Sequence, residues 1–369
     1  MTHSPTNSRA ATHIPGLGCA CAALFAPTRR RGASYFEAIP FLIAVTAVLV
    51  FVSGLVLSAW YDPRNAARSV EFIGRSVREG WLVRAYHETG TSLLAGLTYL
   101  YLFNALLTRS YRAKGDYAWL LAVKLLAVIL AASWFGYVLS GGAGGFWSYQ
   151  NAYNAALQLR GFPGAVALWI LSGGLPKLLL MHLLLGLSLA LALWVFIAAR
   201  HKARLAPEAG QGVGFYPTYA AQYIVALAVL GIVGALLIGF FPHLGQPAAN
   251  ALPGDGLSFS PNPGLPWYLA PIGAVAGIFH ATWGGILVVV ALAVTLYAVP
   301  WLDLSDPAFP PSRRYKALTW GLGLVVLALG ADATIPGCPI APVLDVVFTL
   351  YVFIHFLILT PFITSGEVE

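Results

Sequence analysis

Eight apolar stretches, each close to the roughly 20 residues a helix needs to cross a bilayer, constrain this 369-residue chain more than any other feature. They lie at about 36–61, 82–107, 117–139, 177–200, 218–241, 283–301, 316–334 and 344–364. Hydrophobic residues make up 59% of the chain and charged residues 9%, more apolar surface than a water-soluble domain can hide. The expected fold class is therefore all-α: a polytopic membrane protein with eight transmembrane helices. The formal net charge of +7 is no sign of nucleic-acid binding, because the basic residues lie mostly in short loops, where they set orientation.

Arg29–Arg31, Arg109 with Arg112 and Lys114, Arg200 with Lys202 and Arg204, and Arg313 with Arg314 and Lys316 fall on one side of such a bundle. That side is expected to be cytoplasmic and to hold both termini, with the chain in the cell inner membrane. Residues 1–34 read as a polar, Pro- and Arg-containing leader. The opposite face carries the long connections 62–81, 140–176, 242–282 and 335–343, and long loops gathered on one face usually carry function. In the first of them Arg64, Arg68, Arg75 and Arg78 have the spacing of an amphipathic surface helix. The three cysteines, Cys19, Cys21 and Cys338, form no CxxC, which argues against a cysteine-held metal or covalent haem. "GLGCA" has no apolar signal region before it, so Cys19 and Cys21 read as an unpaired pair in the leader.

Of eight histidines, His3 and His13 belong to the leader. His87 and His182 open the second and fourth helices, which enter the membrane from the same side, so the two lie at similar depth. Imidazole in lipid is costly unless it is paired or ligating. Two at one level could clasp a planar metal cofactor from both faces, as axial ligands of haem iron do, or each could be hydrogen-bonded separately. Gly54 and Gly136 fall at the same level, where a macrocycle between helices would need side chains to be missing.

These residues carry a resemblance to cytochrome b of the quinol:cytochrome c reductase (bc) complexes. "YFEAIPFLIAVTAVLVFVSGLVLSAWYDP", "GWLVRAYHETG", "FGYVLSGGAGGFW", "LPWYLAPIGAVAGIFHATWGG" and "FTLYVFIHFLILTPFITSGEVE" are similar, in order and spacing, to successive segments of that family. The resemblance implies a haem-binding four-helix bundle at 35–205 and a further four-helix region at 206–369. The family holds two haems b, with paired histidines fourteen residues apart on two helices, which is about four turns or about 21 Å. Here the positions fourteen residues after His87 and His182 are Tyr101 and Phe196, and those fourteen before Gly54 and Gly136 are Pro40 and Ala122. All four markers of one haem remain and all four of the other are replaced, so one haem b is expected, with His87 and His182 as axial ligands. The resemblance places Arg84 at a haem propionate. Lys177, five residues before His182, reads either as a second propionate partner or as a plain interfacial anchor.

The quinone motifs also depart from the family. Its Pro-Glu-Trp-Tyr stands here as Leu265-Pro266-Trp267-Tyr268, without the carboxylate, and its Pro-Trp-Gly-Gln turn as Ser140-Gly141-Gly142-Ala143. His201 matches the histidine of the cytoplasmic quinone site, whose acid is replaced by Tyr223 and whose lysine by Gln222. Tyr137, Trp267 and Tyr268 are the expected contacts of any quinone, on the extracytoplasmic side. Glu88 is a candidate replacement proton acceptor, although it points about 100° away from its helix neighbour His87. Lys124 is read as snorkelling to the headgroups, with filling of the vacated haem site as its alternative. His243 and His280 are read as surface groups, and His355 as a hydrogen-bonded packing residue. The expected function is an electron-transfer subunit linking the quinone pool, through one haem b, to an extracytoplasmic partner. That partner would be a Rieske or other iron–sulfur protein, a cytochrome c or a metalloenzyme, within a hetero-oligomeric complex. The alternatives are a Q-cycle reductase subunit with altered motifs and a haem-free anchor or transporter reusing the fold.

Overall fold

The computed structural model describes residues 28–29, 35–112, 117–204, 212–213, 219–242, 244, 246–254, 264–279, 282–307, 309–332 and 340–366. Cys19, Cys21, Cys338, His243 and His280 lie outside them, and of His201 only the helical backbone is described. Thirteen α-helices are described: α1 Ile39–Ser58, α2 Ala66–Arg75, α3 Gly80–Thr108, α4 Ala118–Leu139, α5 Ala143–Gln158, α6 Gly161–Leu171 and α7 Gly174–Arg204, then α8 Ala220–Phe240, α9 Ala270–Gly277, α10 Thr282–Leu302, α11 Arg313–Asp332, α12 Ala341–Ile354 and α13 Thr360–Ser365. A π-helical turn, His355–Leu359, joins the last two into one rod. The two-residue strands Thr28–Arg29 and Gly212–Val213 pair antiparallel.

Each of the eight stretches expected to be helical is a helix. Seven of these rods are long and apolar enough to cross a membrane: Tyr35–Ser58, Gly80–Thr108, Ala118–Leu139, Gly174–Ala199, Ala220–Phe240, Thr282–Leu302 and Ala341–Ser365. The eighth, α11, is also 20 residues long, but Arg313, Arg314 and Lys316 fill its first turn and glycines interrupt its apolar run. The protein is an integral membrane protein. Most of its exposed side chains along the rods are large and apolar, such as Leu191, Ile224, Val294 and Leu350, as lipid contact requires.

α1 packs along α3, α4 packs along α7, and α3 with α4 closes the four into one bundle. Its centre is tightly filled, with Ile43, Leu94, Leu125 and Ile129 almost wholly buried. α9–α13 pack beside α3. The expected surface helix at 62–81 is α2, whose buried face is Ala66, Ser69 and Ile73. The connection 140–176, expected as a loop, is instead two helices, α5 and α6. Neither is long enough to span, and the apolar run of α6 is only 11 residues.

One buried polar cluster ties the bundle to the helices beside it. Asp303, after α10, accepts from Tyr111 at 2.9 Å and lies 3.4 Å from Arg109 Nε. The Arg109 guanidinium also stacks 3.8 Å over the Tyr315 ring of α11. Arg112 donates to the carbonyls of Pro300, Asp303 and Ser305. Arg109 itself has φ 51°, the left-handed turn that ends α3.

Candidate functional site

α3 and α7 enter the bundle from the same end, and His87 and His182 lie about two turns into them. The sequence predicts that the two imidazoles share a level, and they face each other with ring centres 6.2 Å apart. His87 Nδ1 lies 2.9 Å from the carbonyl of Val50 and 3.2 Å from Ser53 Oγ. His182 Nδ1 lies 2.9 Å from the carbonyl of Ala132. A carbonyl only accepts, so each Nδ1 holds the proton and each Nε2 keeps its lone pair. That is the arrangement by which a metal-ligating histidine is oriented.

Both carbonyls belong to uninterrupted helices, α1 and α4, and each accepts from its imidazole with a second lone pair. α1 and α4 come close enough to lend them because Gly54 and Gly136 have no side chains. A Cβ at Gly54 would stand 2.8 Å from His87 Cε1, and one at Gly136 would stand 3.1 Å from His182 Cε1. The expectation that these glycines clear space for a macrocycle is thereby refined: their nearest neighbours are the imidazoles, and they also line the cavity between them.

A cavity opens around the two rings. Its deep walls are apolar, including Phe51, Leu94, Ile129 and Leu183, and its rim is polar, with Tyr61, Arg84, Glu88, Ser140, Gln246 and Asn250. Two metal–nitrogen bonds of about 2 Å, plus about 1 Å from each nitrogen to its ring centre, require imidazole centres about 6 Å apart, so a haem iron fits between them. The apolar depth suits a porphyrin and Arg84 suits a propionate. Arg84 Nε is 2.9 Å from Glu88 Oε1, an ion pair at the rim.

The other expected site residues are distributed as follows. Tyr137 and Tyr268 line this cavity. The Tyr137 hydroxyl donates to the carbonyl of Gly264 (3.3 Å), and the Tyr268 carbonyl accepts from Tyr99 (2.9 Å). Burial, opposed by the Gln246 bond and reinforced by Glu88, raises the Tyr268 phenol above its ordinary value, so it stays a neutral donor. Trp267 does not reach the cavity. Its Nε1 donates to Ser92 Oγ at 2.8 Å, and its ring lines a second cavity. Lys177 is not on the cavity wall either. Its ammonium stacks 3.9 Å over the Trp169 ring and bonds to the Trp169 carbonyl, both supplied by α6, a helix within the connection expected as a loop. Glu88 lines both cavities.

The polar cover of the cavity joins segments far apart in the sequence and leaves no local signal there. Asn250 Nδ2 donates to Ser140 Oγ (2.8 Å), and Asn250 Oδ1 accepts from the Gly145 amide (3.0 Å). The Leu252 carbonyl accepts from Ala143 N at 2.7 Å and Gly254 N donates to the carbonyl of Gly141 at 2.9 Å, so the 246–254 loop lies across the 140–145 turn. A Cβ at Gly142 would collide with Asn250, a reason for glycine there that is visible only with both segments in place.

At the other end of the bundle, Tyr101 and Phe196 meet edge to face with ring centres 5.2 Å apart. Phe196 and Ala122 are fully buried, and Pro40 is buried beside them in the same bundle. Lys124 is exposed on α4, as snorkelling requires, and takes no part in this packing. Tyr223 stacks on Phe41 at 5.1 Å and donates to the carbonyl of Glu37. His355 is buried between Tyr351 and Phe356, and its Nδ1 has no hydrogen-bond partner among the described residues, so the packing is seen without the expected bond there.

Residues 31–203 match the family model described as Cytochrome b/b6/petB, and residues 262–353 that described as Cytochrome b(C-terminal)/b6/petD. The cytochrome b of Allochromatium vinosum is 27% identical over 91% of this chain and 89% of its own length. That of Rhodospirillum rubrum is 26% identical over 90% and 86%. Among solved structures, a chain of a hyperthermophilic respiratory Complex III superposes with TM-score 0.80 at 21% identity, covering 92% of this chain and 94% of the other, and so shares the fold.

Proposed function

The chain belongs to the cytochrome b family, and from that premise we propose that it carries electrons through a single haem b held by His87 and His182. The observation that carries this reading is the imidazole pair, 6.2 Å apart, with each Nδ1 bonded to a carbonyl and both residues lining the cavity. The haem, when bound, supplies one-electron chemistry. This chain's residues fix its plane, and Arg84 answers its charge. The count of one is supported by Tyr101 and Phe196, whose rings fill the level where the family's second pair of ligands would stand.

On this reading the haem bundle spans 35–205, and 206–369 forms the accompanying region. The cavity end faces the extracytoplasmic side of the cell inner membrane, and both termini are cytoplasmic. Quinone exchanges electrons at the cavity end, near Tyr137, Trp267 and Tyr268. The cytoplasmic site has lost its acid, and its replacement, Tyr223, is packed on Phe41. Pro266 accepts no proton, so a quinol here gives its protons to another base or to water. With one haem, electrons leave on the side where they enter, to an iron–sulfur protein, a cytochrome c or a metalloenzyme in a hetero-oligomeric complex.

Pyridine haemochrome quantification, with a dithionite-minus-oxidised spectrum of the purified subunit, tests the count. The expected result is one haem b per chain. Two per chain would end the one-sided mechanism.

A further inference from the structure

α6 is about 16 Å long, against the roughly 30 Å of a hydrocarbon core, yet it carries no charged side chain. One of its faces, with Ala167, Leu168 and Leu171, packs against α5 and α7. The other, Phe162, Ala165, Val166 and Trp169, has the i, i+3, i+4, i+7 spacing of a helical stripe and points outward. Phe162 is 82% exposed and Trp169 60%. We propose that α6 is an in-plane membrane anchor. Its outward stripe sits among the acyl chains of the leaflet at the cavity end, and Arg160 and Lys177 hold anionic headgroups at its two ends. The inference does not depend on which cofactor the bundle carries.

Several observations select lipid over water or a partner protein. A helix that is apolar on both faces gains nothing from turning one of them to water. The stripe also runs on into surface that already faces lipid. On α7 the exposed Leu180, Leu184, Leu187 and Leu191 follow one side of the helix, and Lys177 heads that column. The Lys177 ammonium stacks over Trp169, so α6 meets the lipid-facing side of α7 at the level where a lysine reaches headgroups. Among the described residues the Trp169 indole N–H makes no hydrogen bond, which leaves it for the headgroup oxygens that an interfacial tryptophan bonds. The charges fit as well. Arg160 is exposed just before α6, and no acid occurs in the sequence between Asp116 and Glu208. That stretch supplies the two cations with no carboxylate, and lipid phosphates are the counter-charge a membrane surface offers. His182 lies five residues beyond Lys177, about 7.5 Å along α7, so the anchor fixes the depth of the imidazole pair just below the headgroups.

The test places p-benzoylphenylalanine at Phe162 or at Trp169 of the full-length protein and irradiates intact cells, so that partner subunits are in place. Mass spectrometry of the purified protein is expected to find a phospholipid adduct at both positions. A crosslink to another polypeptide would show that a partner or a second copy of this chain covers the stripe, and no adduct at either position would show that it faces water. Either result overturns the proposal. Arg160→Glu combined with Lys177→Glu should lower the share of anionic phospholipid in the Phe162 adduct by about fivefold, while an unchanged haem spectrum reports that the variant has folded. An unchanged share would overturn the role of the two cations. Depth is read separately. With Cys19, Cys21 and Cys338 replaced by serine, a nitrobenzoxadiazole probe on Phe162→Cys in phosphatidylcholine vesicles should be quenched more by lipid carrying a doxyl group near its headgroup than near its acyl end. The reverse order would mean that α6 dips into the bilayer core and is no in-plane anchor.

Discussion

At the scale of single residues, the two glycines that face the imidazoles are not equivalent. The Cβ of an alanine at Gly54 would stand 2.8 Å from His87 Cε1, a distance real contacts do not reach, whereas at Gly136 the gap is 3.1 Å and a slight shift suffices. Gly54→Ala must therefore turn the His87 ring away from its bond to Val50. Rotamer strain of about 1 kcal/mol corresponds to about a fivefold loss of haem affinity. Gly136→Ala should lose less. Haem content per chain after dilution in detergent ranks the two variants, and a greater loss at Gly136 would contradict the geometry. Lys177→Ala should leave haem content unchanged, because its ammonium is held by Trp169. A drop would show that the lysine reaches a propionate after all.

At the scale of helices, the Tyr101–Phe196 contact binds α3 to α7 four turns beyond the histidines. Phe196 is fully exchanged from lipid into packing, so Phe196→Ala should destabilise the bundle by about 3–5 kcal/mol, measured as a fall in the denaturation temperature followed at the haem band. Replacing Tyr101 and Phe196 together by histidine should still give one haem per chain, since Ala122 and Pro40, both buried, carry side chains where the other level has Gly136 and Gly54. A second haem in that double variant would mean that the level is only loosely filled. The sequence carried this contrast openly, because the fourteen-residue interval puts each pair of positions on one face of one helix. It carried the eight rods openly too, since an apolar run of that length has few other fates. It concealed α5 and α6, which are too short and too mixed to announce themselves, and with α6 it concealed the capture of Lys177 by Trp169. Trp267 and Tyr268 are neighbours in sequence yet line different cavities, and no periodicity reports on a turn of that kind. The Asn250 cover joins segments 105 and 110 residues apart, and a single sequence does not pair them.

At the scale of the molecule, the Asp303 cluster decides how the bundle and the helices beside it are held. The side chains of Arg109 and Asp303 are 4% and 0% exposed, so neither has water to fall back on. Asp303→Ala would leave a buried guanidinium without its counter-charge and should cost about 3–5 kcal/mol, whereas the haem spectrum at the far end of α3 should stay unchanged. Thermal unfolding and the difference spectrum, recorded on one sample, separate the two effects. The cavity end is joined in another way, by the 246–254 loop lying over the 140–145 turn. A ribosome delivers these parts in order. Both imidazoles have been made by residue 182, whereas Gln246 emerges 64 residues later and Tyr268 later still. Biogenesis thus builds the clasp before its cover, and a haem inserted during that interval meets an open mouth instead of a closed one.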